Sequence, residues 1–218
     1  MNFISKIKIL ASLSVLVLLV GCGTPAQIAE PSVSTYSNLA YQGKTVNYDI
    51  FYAQPKPGLF SDGEMLPMVP FDAQEKSPLA EFVTEDIQAF MEEHGPVGLM
   101  PTDYEKSDFL LVAKITATKK AGPAWSDFKS GKSFLMSLLT FTFAPSYHDI
   151  TANYEVEYDL YKHGRQVFSR AYNVNDSVPH EQSDLAHLRH LSEKPKALFR
   201  KTLSATLDDF YKSASAYL

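Results

Sequence analysis

The chain has 218 residues, 45% hydrophobic and 21% charged, with a formal net charge of -5. That is enough for one domain with a substantial core, which excludes intrinsic disorder, collagen-like repeats and coiled coil. The single cysteine excludes intrachain disulfides and cysteine-rich metal frameworks, and the acidic balance argues against an electrostatic hold on nucleic acid.

The N-terminus reads as a targeting segment. Lys6 and Lys8 form a basic stretch, and Ile9 to Val20 is an apolar run interrupted only by Ser12 and Ser14. Crossing a bilayer core takes about 20 apolar residues, so this run is too short to remain as a membrane-spanning anchor. It ends in Leu19-Val20-Gly21-Cys22, small residues running into a cysteine at the close of an apolar segment.

That pattern resembles the lipobox of bacterial lipoprotein precursors, a resemblance confined to the first tenth of the chain. It implies a signal peptide over residues 1–21 and cleavage at the Gly21-Cys22 bond, with diacylglyceryl and palmitate-type acylation of Cys22 as the new N-terminus. Each buried methylene is worth about 0.8 kcal/mol and two chains give stable anchoring, so an acylated Cys22 holds the protein on a membrane unaided. Gly23 stands where the family's inner-membrane retention signal is aspartate, which points to the outer membrane and its periplasmic face. Loss of residues 1–21 removes Lys6 and Lys8 and no acid, leaving 18 basic against 25 acidic side chains, or -7. Such a surface does not seek anionic headgroups.

Residues 22–43, with their prolines and small polar side chains, read as the lipidated N-terminus and a flexible linker of about 25 Å r.m.s. span. A globular domain is expected over 44–218. Val46 to Ala53 is a strand by its β-branched and aromatic residues, and the prolines and glycines from Pro55 to Pro70 predict a long loop. Ser77-Pro78 opens a helix, the hydroxyl capping an amide and the proline occupying a position that needs no N–H. Leu79, Phe82, Val83, Ile87, Phe90 and Met91 form its apolar stripe up to the stop at His94-Gly95-Pro96.

Asp108 to Lys119 alternates as a strand, and Ile150 to Leu160 alternates strictly, its even positions apolar and its odd ones polar. A return strand over Gln166 to Val174 follows Lys162-His163-Gly164. A three-residue loop with Gly164 left-handed would pair Tyr158 with Phe168 and Tyr154 with Tyr172, keeping aromatics on one face. Ser183 opens a short helix with Leu185, Leu188 and Leu191. A longer helix from about Pro195 carries Leu198, Phe199, Thr202, Leu203, Leu207, Phe210, Tyr211 and Ala214. This order predicts an α+β fold, a single two-layer domain with an antiparallel or mixed sheet and helices on one face.

Functional signals are sparse. Phe134 to Pro145 is the most apolar stretch of the mature chain, preceded by Trp125, Phe128, Lys129 and Lys132. It reads either as core or as a membrane or partner contact, with Trp125, Phe128, Leu135, Leu138 and Phe141 as contact residues. His180, Asp184, His187 and His190 are close in sequence but match no ligand motif, so no metal and no cofactor are expected. Glu155, Glu157 and Asp159 share a strand face in the manner of glycosidase carboxylates, yet a solvated face accounts for them, and no nucleophile elbow or phosphate loop is present. No catalytic residue is assigned, and the chain reads as non-enzymatic. Leu139-Thr140-Phe141-Thr142-Phe143-Ala144-Pro145 before a Tyr-rich hairpin resembles small Gram-negative lipoproteins. That likeness implies an accessory or assembly factor docking on an envelope complex through loops 55–76 and 120–145. The alternative is a binding module holding a lipid or other apolar molecule between sheet and helices.

Overall fold

The computed structural model describes residues 26–58, 60–130, 146–182 and 190–218. The signal peptide, Cys22, the 134–145 stretch and the short helix from Ser183 lie outside the described residues. The rest is a mixed, open seven-stranded sheet with helices packed on it, the α+β architecture expected from the order of elements.

The strands are β1 (Lys44–Ala53), β2 (Val69–Pro70), β3 (Leu99–Pro101), β4 (Phe109–Ala117), β5 (Ala124–Phe128), β6 (Ser146–Lys162) and β7 (Arg165–Gln182). β1 and β4 run parallel, Val46 beside Phe109, while β4 is antiparallel to β6 with Ala113 opposite Tyr158. β5 resumes the line of β4 along β6, pairing Ala124 with Ala152 and Phe128 with His148. β7 takes the other side of β6, and β2 and β3 both border β1. The period of two does what it predicts: Phe109, Leu111, Ala113, Ile115 and Ala117 are all buried, as are the even residues of β6 from Ile150 to Leu160.

Three helices cover that face: α1 (Pro78–Val83), α2 (Ile87–Glu93) and α3 (His190–Ala214). Ser77 caps α1 as expected, its hydroxyl accepting from the Ala80 N–H at 3.2 Å. The single helix predicted for 78–93 is nonetheless two. Thr84 donates its hydroxyl to the Ala80 carbonyl, and Asp86 takes the left-handed conformation that Asp tolerates better than most residues, φ 56°. The break re-aims the second half, so Val83, Ile87, Phe90 and Met91 still face the core.

The layer between sheet and α3 is unusually rich in tyrosine, and each phenol tip has a partner. Tyr154 and Tyr158 donate to Thr202 and Thr206, both at 3.0 Å. The threonine hydroxyls pass their own hydrogens to carbonyls one turn back in α3, at Leu198 and Leu203. Tyr48 meets Tyr211 at 3.2 Å, and Tyr41 donates to the Tyr211 carbonyl at 2.8 Å. Burial pushes the Tyr48 phenol up to about 12 and raises Tyr41, Tyr52, Tyr154, Tyr158 and Tyr211 as well.

Three expectations are corrected. The hairpin turn is the two-residue His163-Gly164, both residues with positive φ, and a register shift follows beside Leu160/Tyr161. Tyr158 therefore opposes Arg170 and Tyr154 opposes Val174. The shift restores even-with-even pairing, so Tyr158 and Tyr172 still share a face with ring centroids 5.9 Å apart. Residues 26–43 are a packed strap and not a free linker: Ala26 is buried, Ser34 donates to Asp208 of α3, and Tyr41 is fully enclosed. The apolar Ile28, Tyr36 and Tyr41 supply the contact area that the polar composition of this segment hid. Loop 55–76 is also partly ordered, since Pro55 bridges Met65, Leu66 donates to the Gln54 carbonyl, and β2 lies within it. Pro70 is tolerated there because β2 is an edge strand.

Candidate functional site: the anchored end of the sheet

β6 spans roughly 55 Å, and its two ends differ. The hairpin end carries His163-Gly164 and the C-terminus, where Lys162 donates to the Leu218 carbonyl. The opposite end gathers the start of the described chain and a row of aromatic side chains.

The row crosses three strands: Phe128 pairs with His148, and His148 with His180. The rings follow that register, with centroids 5.2 Å apart between Phe128 and His148 and 6.3 Å between the two histidines. Ser126 and Ser146 contact the two nitrogens of His148 at 3.1 and 3.3 Å, and burial lowers the His148 pKa, favouring the neutral ring. His180 is buried and accepts the Ala26 N–H on Nδ1 at 2.9 Å. This bond fixes where the strap enters the domain. Lys129 pairs with Asp149 at 2.6 Å just beyond Phe128.

Of Trp125 and Phe128, only Phe128 offers a ring to solvent, at 54% exposure. Trp125 sits on β5 and not in a loop; it is buried and donates its indole N–H to Asp127 at 2.7 Å. Leu135, Leu138 and Phe141 lie outside the described residues, as do Gly21 and Cys22.

Loops 55–76 and 118–123 meet beside the middle of β6, where Ala117 opposes Tyr154 and Asn153 donates to the Pro123 carbonyl. Lys120 donates to the carbonyls of Ser61 at 2.6 Å and Gly58 at 3.3 Å, and a groove of about 470 Å³ lies between Pro55, Gly63, Lys120, Trp125 and Asp127. Gly122 lets loop 118–123 lie directly against α1, because a Cβ there would meet Ala80 at 2.8 Å. Phe60, in the first loop, is fully exposed, and Met65 is half-exposed. Phe60 is an isolated aromatic between prolines and belongs to no apolar stripe.

The carboxylate face has a different outcome from the one expected. Asp159 is buried and holds Lys114 at 2.7 Å and Gln166 at 3.0 Å, while Glu157 takes the same ammonium at 3.2 Å. The two carboxylates raise the Lys114 pKa, Asp159 foremost. A cation shared this way makes a structural clamp. Among the described residues no group of three or more His, Cys, Asp or Glu side chains could hold a metal ion. No helix among them is long and apolar enough to cross a membrane.

No family model matches the chain, and no curated protein matches it significantly. Among solved structures it is similar to protein XCC0632 (DUF330) from Xanthomonas campestris, at 15% identity and TM-score 0.38, over 88% of this chain and 97% of that one. It is also similar to a minor lipoprotein from Acinetobacter baumannii, at 11% identity and TM-score 0.32, over 80% and 92% of the two chains. The rare lipoprotein B of Shewanella oneidensis gives 10% identity and TM-score 0.32, over 79% and 94%. These are distant likenesses of chain path, and no residue role passes through them.

Proposed function

We propose that this chain is a lipid-anchored protein of the bacterial cell envelope, a non-enzymatic accessory or assembly factor. Acylated Cys22 holds it on the periplasmic face of the outer membrane, and the paired loops around Phe60 dock it on a larger envelope complex. The observation that carries the reading is the bond from Ala26 to His180. Only three residues, Gly23 to Pro25, stand between Cys22 and Ala26, a reach of at most about 14 Å. An acyl anchor at Cys22 would therefore keep the Phe128 end of the sheet beside the bilayer, where a free linker through residue 43 would have let the domain wander. Phe128 and Lys129 then lie at headgroup level.

The alternative, an apolar ligand held between sheet and helices, finds that layer filled. Tyr154, Tyr158, Leu203 and Phe210 are fully buried there. Photocrosslinking in cells from Phe128 and from Phe60 tests the proposal. Lipid adducts at Phe128 that vanish with Cys22→Ser, together with one recurrent protein adduct at Phe60, are expected. Labelling at Phe128 that is indifferent to Cys22→Ser would defeat the anchoring geometry, and adducts at Phe60 confined to this chain would defeat the docking role.

A further inference from the structure

β7 pairs with β6 along one side, and among the described residues no strand pairs with its other side. Proteins blunt such edges with lysine, proline or bulges, because a bare ladder of N–H and C=O groups recruits another strand. In β7 the bulge and the proline stand only at the ends, as the register shift beside Val167 and as Pro179, which has no N–H to donate, and the charges between them are one of each sign, Arg170 and Asp176. Between them, Phe168 to Val178 is eleven residues in unbroken register with β6, free of lysine and proline. The midpoint of this unprotected stretch is Asn173.

Two copies of a chain joined antiparallel by a two-fold axis must pair about a single residue, because the contact is self-complementary. Pairing about Asn173 sets Arg170 opposite Asp176 of the second copy, and does so twice. It also sets Phe168 opposite Val178 and Tyr172 opposite Val174. Opposed residues share a face, so each of these contacts is on the helix side of the sheet. Arg170 already reaches Asp209 at 3.0 Å and Ser213 at 2.7 Å, which holds the guanidinium over the strand with donors to spare. Asp176 is half-buried and faces no cation of its own chain among the described residues. Neighbouring registers lose the match. Centred on Tyr172, Asp176 opposes Phe168; centred on Val174, Arg170 opposes Val178.

We infer that the outer edge of β7 is a self-association site, where a second copy of this chain adds antiparallel about Asn173 and merges the two sheets into one. The charge pattern and the limits of the bare edge select the same residue independently. The inference does not depend on the lipid anchor.

Cysteine crosslinking of the full chain, in membranes or mild detergent, tests it, with the unsubstituted chain setting the background from Cys22. Asn173→Cys is expected to give covalent dimers with a short bis-maleimide or on oxidation. Ser169→Cys alone is expected to give none, since its two copies would lie about 27 Å apart, eight residues along the strand. Ser169→Cys with Ser177→Cys is expected to crosslink again. Asp176→Arg should cut the Asn173→Cys dimer yield at least tenfold while leaving the far-ultraviolet dichroism unchanged. Absence of Asn173→Cys dimers, equal linking by Ser169→Cys alone, or adducts to a different protein would overturn the inference.

Discussion

The two faces of β6 solve opposite problems with neighbouring residues. On the inner face Tyr154 and Tyr158 carry large apolar rings into the core, and their hydroxyls need partners there. They find them in Thr202 and Thr206, so the same side chains that fill the layer also fix α3 over the sheet. On the outer face Glu157 is half-exposed, whereas Asp159 is buried beneath Lys114 and Gln166. A polar group joined to a large ring costs little to bury once bonded, whereas a buried carboxylate must keep a cation close. Inner-face polarity therefore sets position, and outer-face charge creates a local dependence on one lysine.

The largest expected effect is at the inner face. Tyr158→Ala should destabilise by about 4 kcal/mol in chemical denaturation, as expected for deleting a fully buried ring. Tyr158→Phe should cost only about 1 kcal/mol, because Thr206 keeps its bond to the Leu203 carbonyl. Equal losses from the two variants would break the claim that ring and hydroxyl have separable roles.

Next is the alkaline limb. The folded Tyr48 keeps its proton to about 12, while in the unfolded chain it loses it near 10.0. Above the unfolded value the unfolded state binds fewer protons than the folded one, so stability is intact below pH 10 and falls as pH rises toward 12. At about 1.4 kcal/mol per pH unit this amounts to about 3 kcal/mol from Tyr48 alone, with the other buried tyrosines adding to it. Tyrosinate absorbance should rise in two stages, exposed phenols first and the buried set only with unfolding. A single stage near pH 10 with the fold intact would contradict the buried hydroxyl network.

The smallest effect belongs to the outer face. Lys114→Met leaves Asp159 buried without its cation and should cost about 2 kcal/mol, less than for a fully enclosed pair because the lysine is partly solvated. Asp159→Asn should cost less than half of that, since Gln166 remains within reach. The reverse ranking would show that the cation, and not the carboxylate, is the dispensable partner.

Much of this fold was legible because it follows from period. The alternation in β4 and β6, the Ser77-Pro78 start and the apolar stripe of α3 are each properties of a few adjacent side chains. The hairpin shows where local reading stops. Aromatic parity correctly required even residues to face even ones, but a two-residue turn with a register shift satisfies parity as well as a three-residue loop does. Only the pairing of β7 along its whole length chooses between them. The strap at residues 26–43 was illegible for a related reason: Tyr36 and Tyr41 show no period, and what buries them is α3, more than 160 residues away in the chain. The candidate site was half legible. Phe128 stood out as an isolated aromatic, but Trp125 had the same signature and turned out buried, because exposure depends on which face of β5 is covered.

By itself the sequence determined the class of fold, the polarity of each strand face, the helix that covers the sheet, and a cysteine context that resembles a lipidation signal. These are encoded in short-range patterns of residue type, and hydrophobic burial reads such patterns directly. Only the tertiary structure decided that the N-terminal segment is strapped to His180, that the loops at 55–76 and 118–123 meet through Lys120, and that β7 lies at an edge with a bare central stretch. Each of those joins residues far apart in the chain, and the free energy that brings them together depends on surfaces that do not exist until the core has formed.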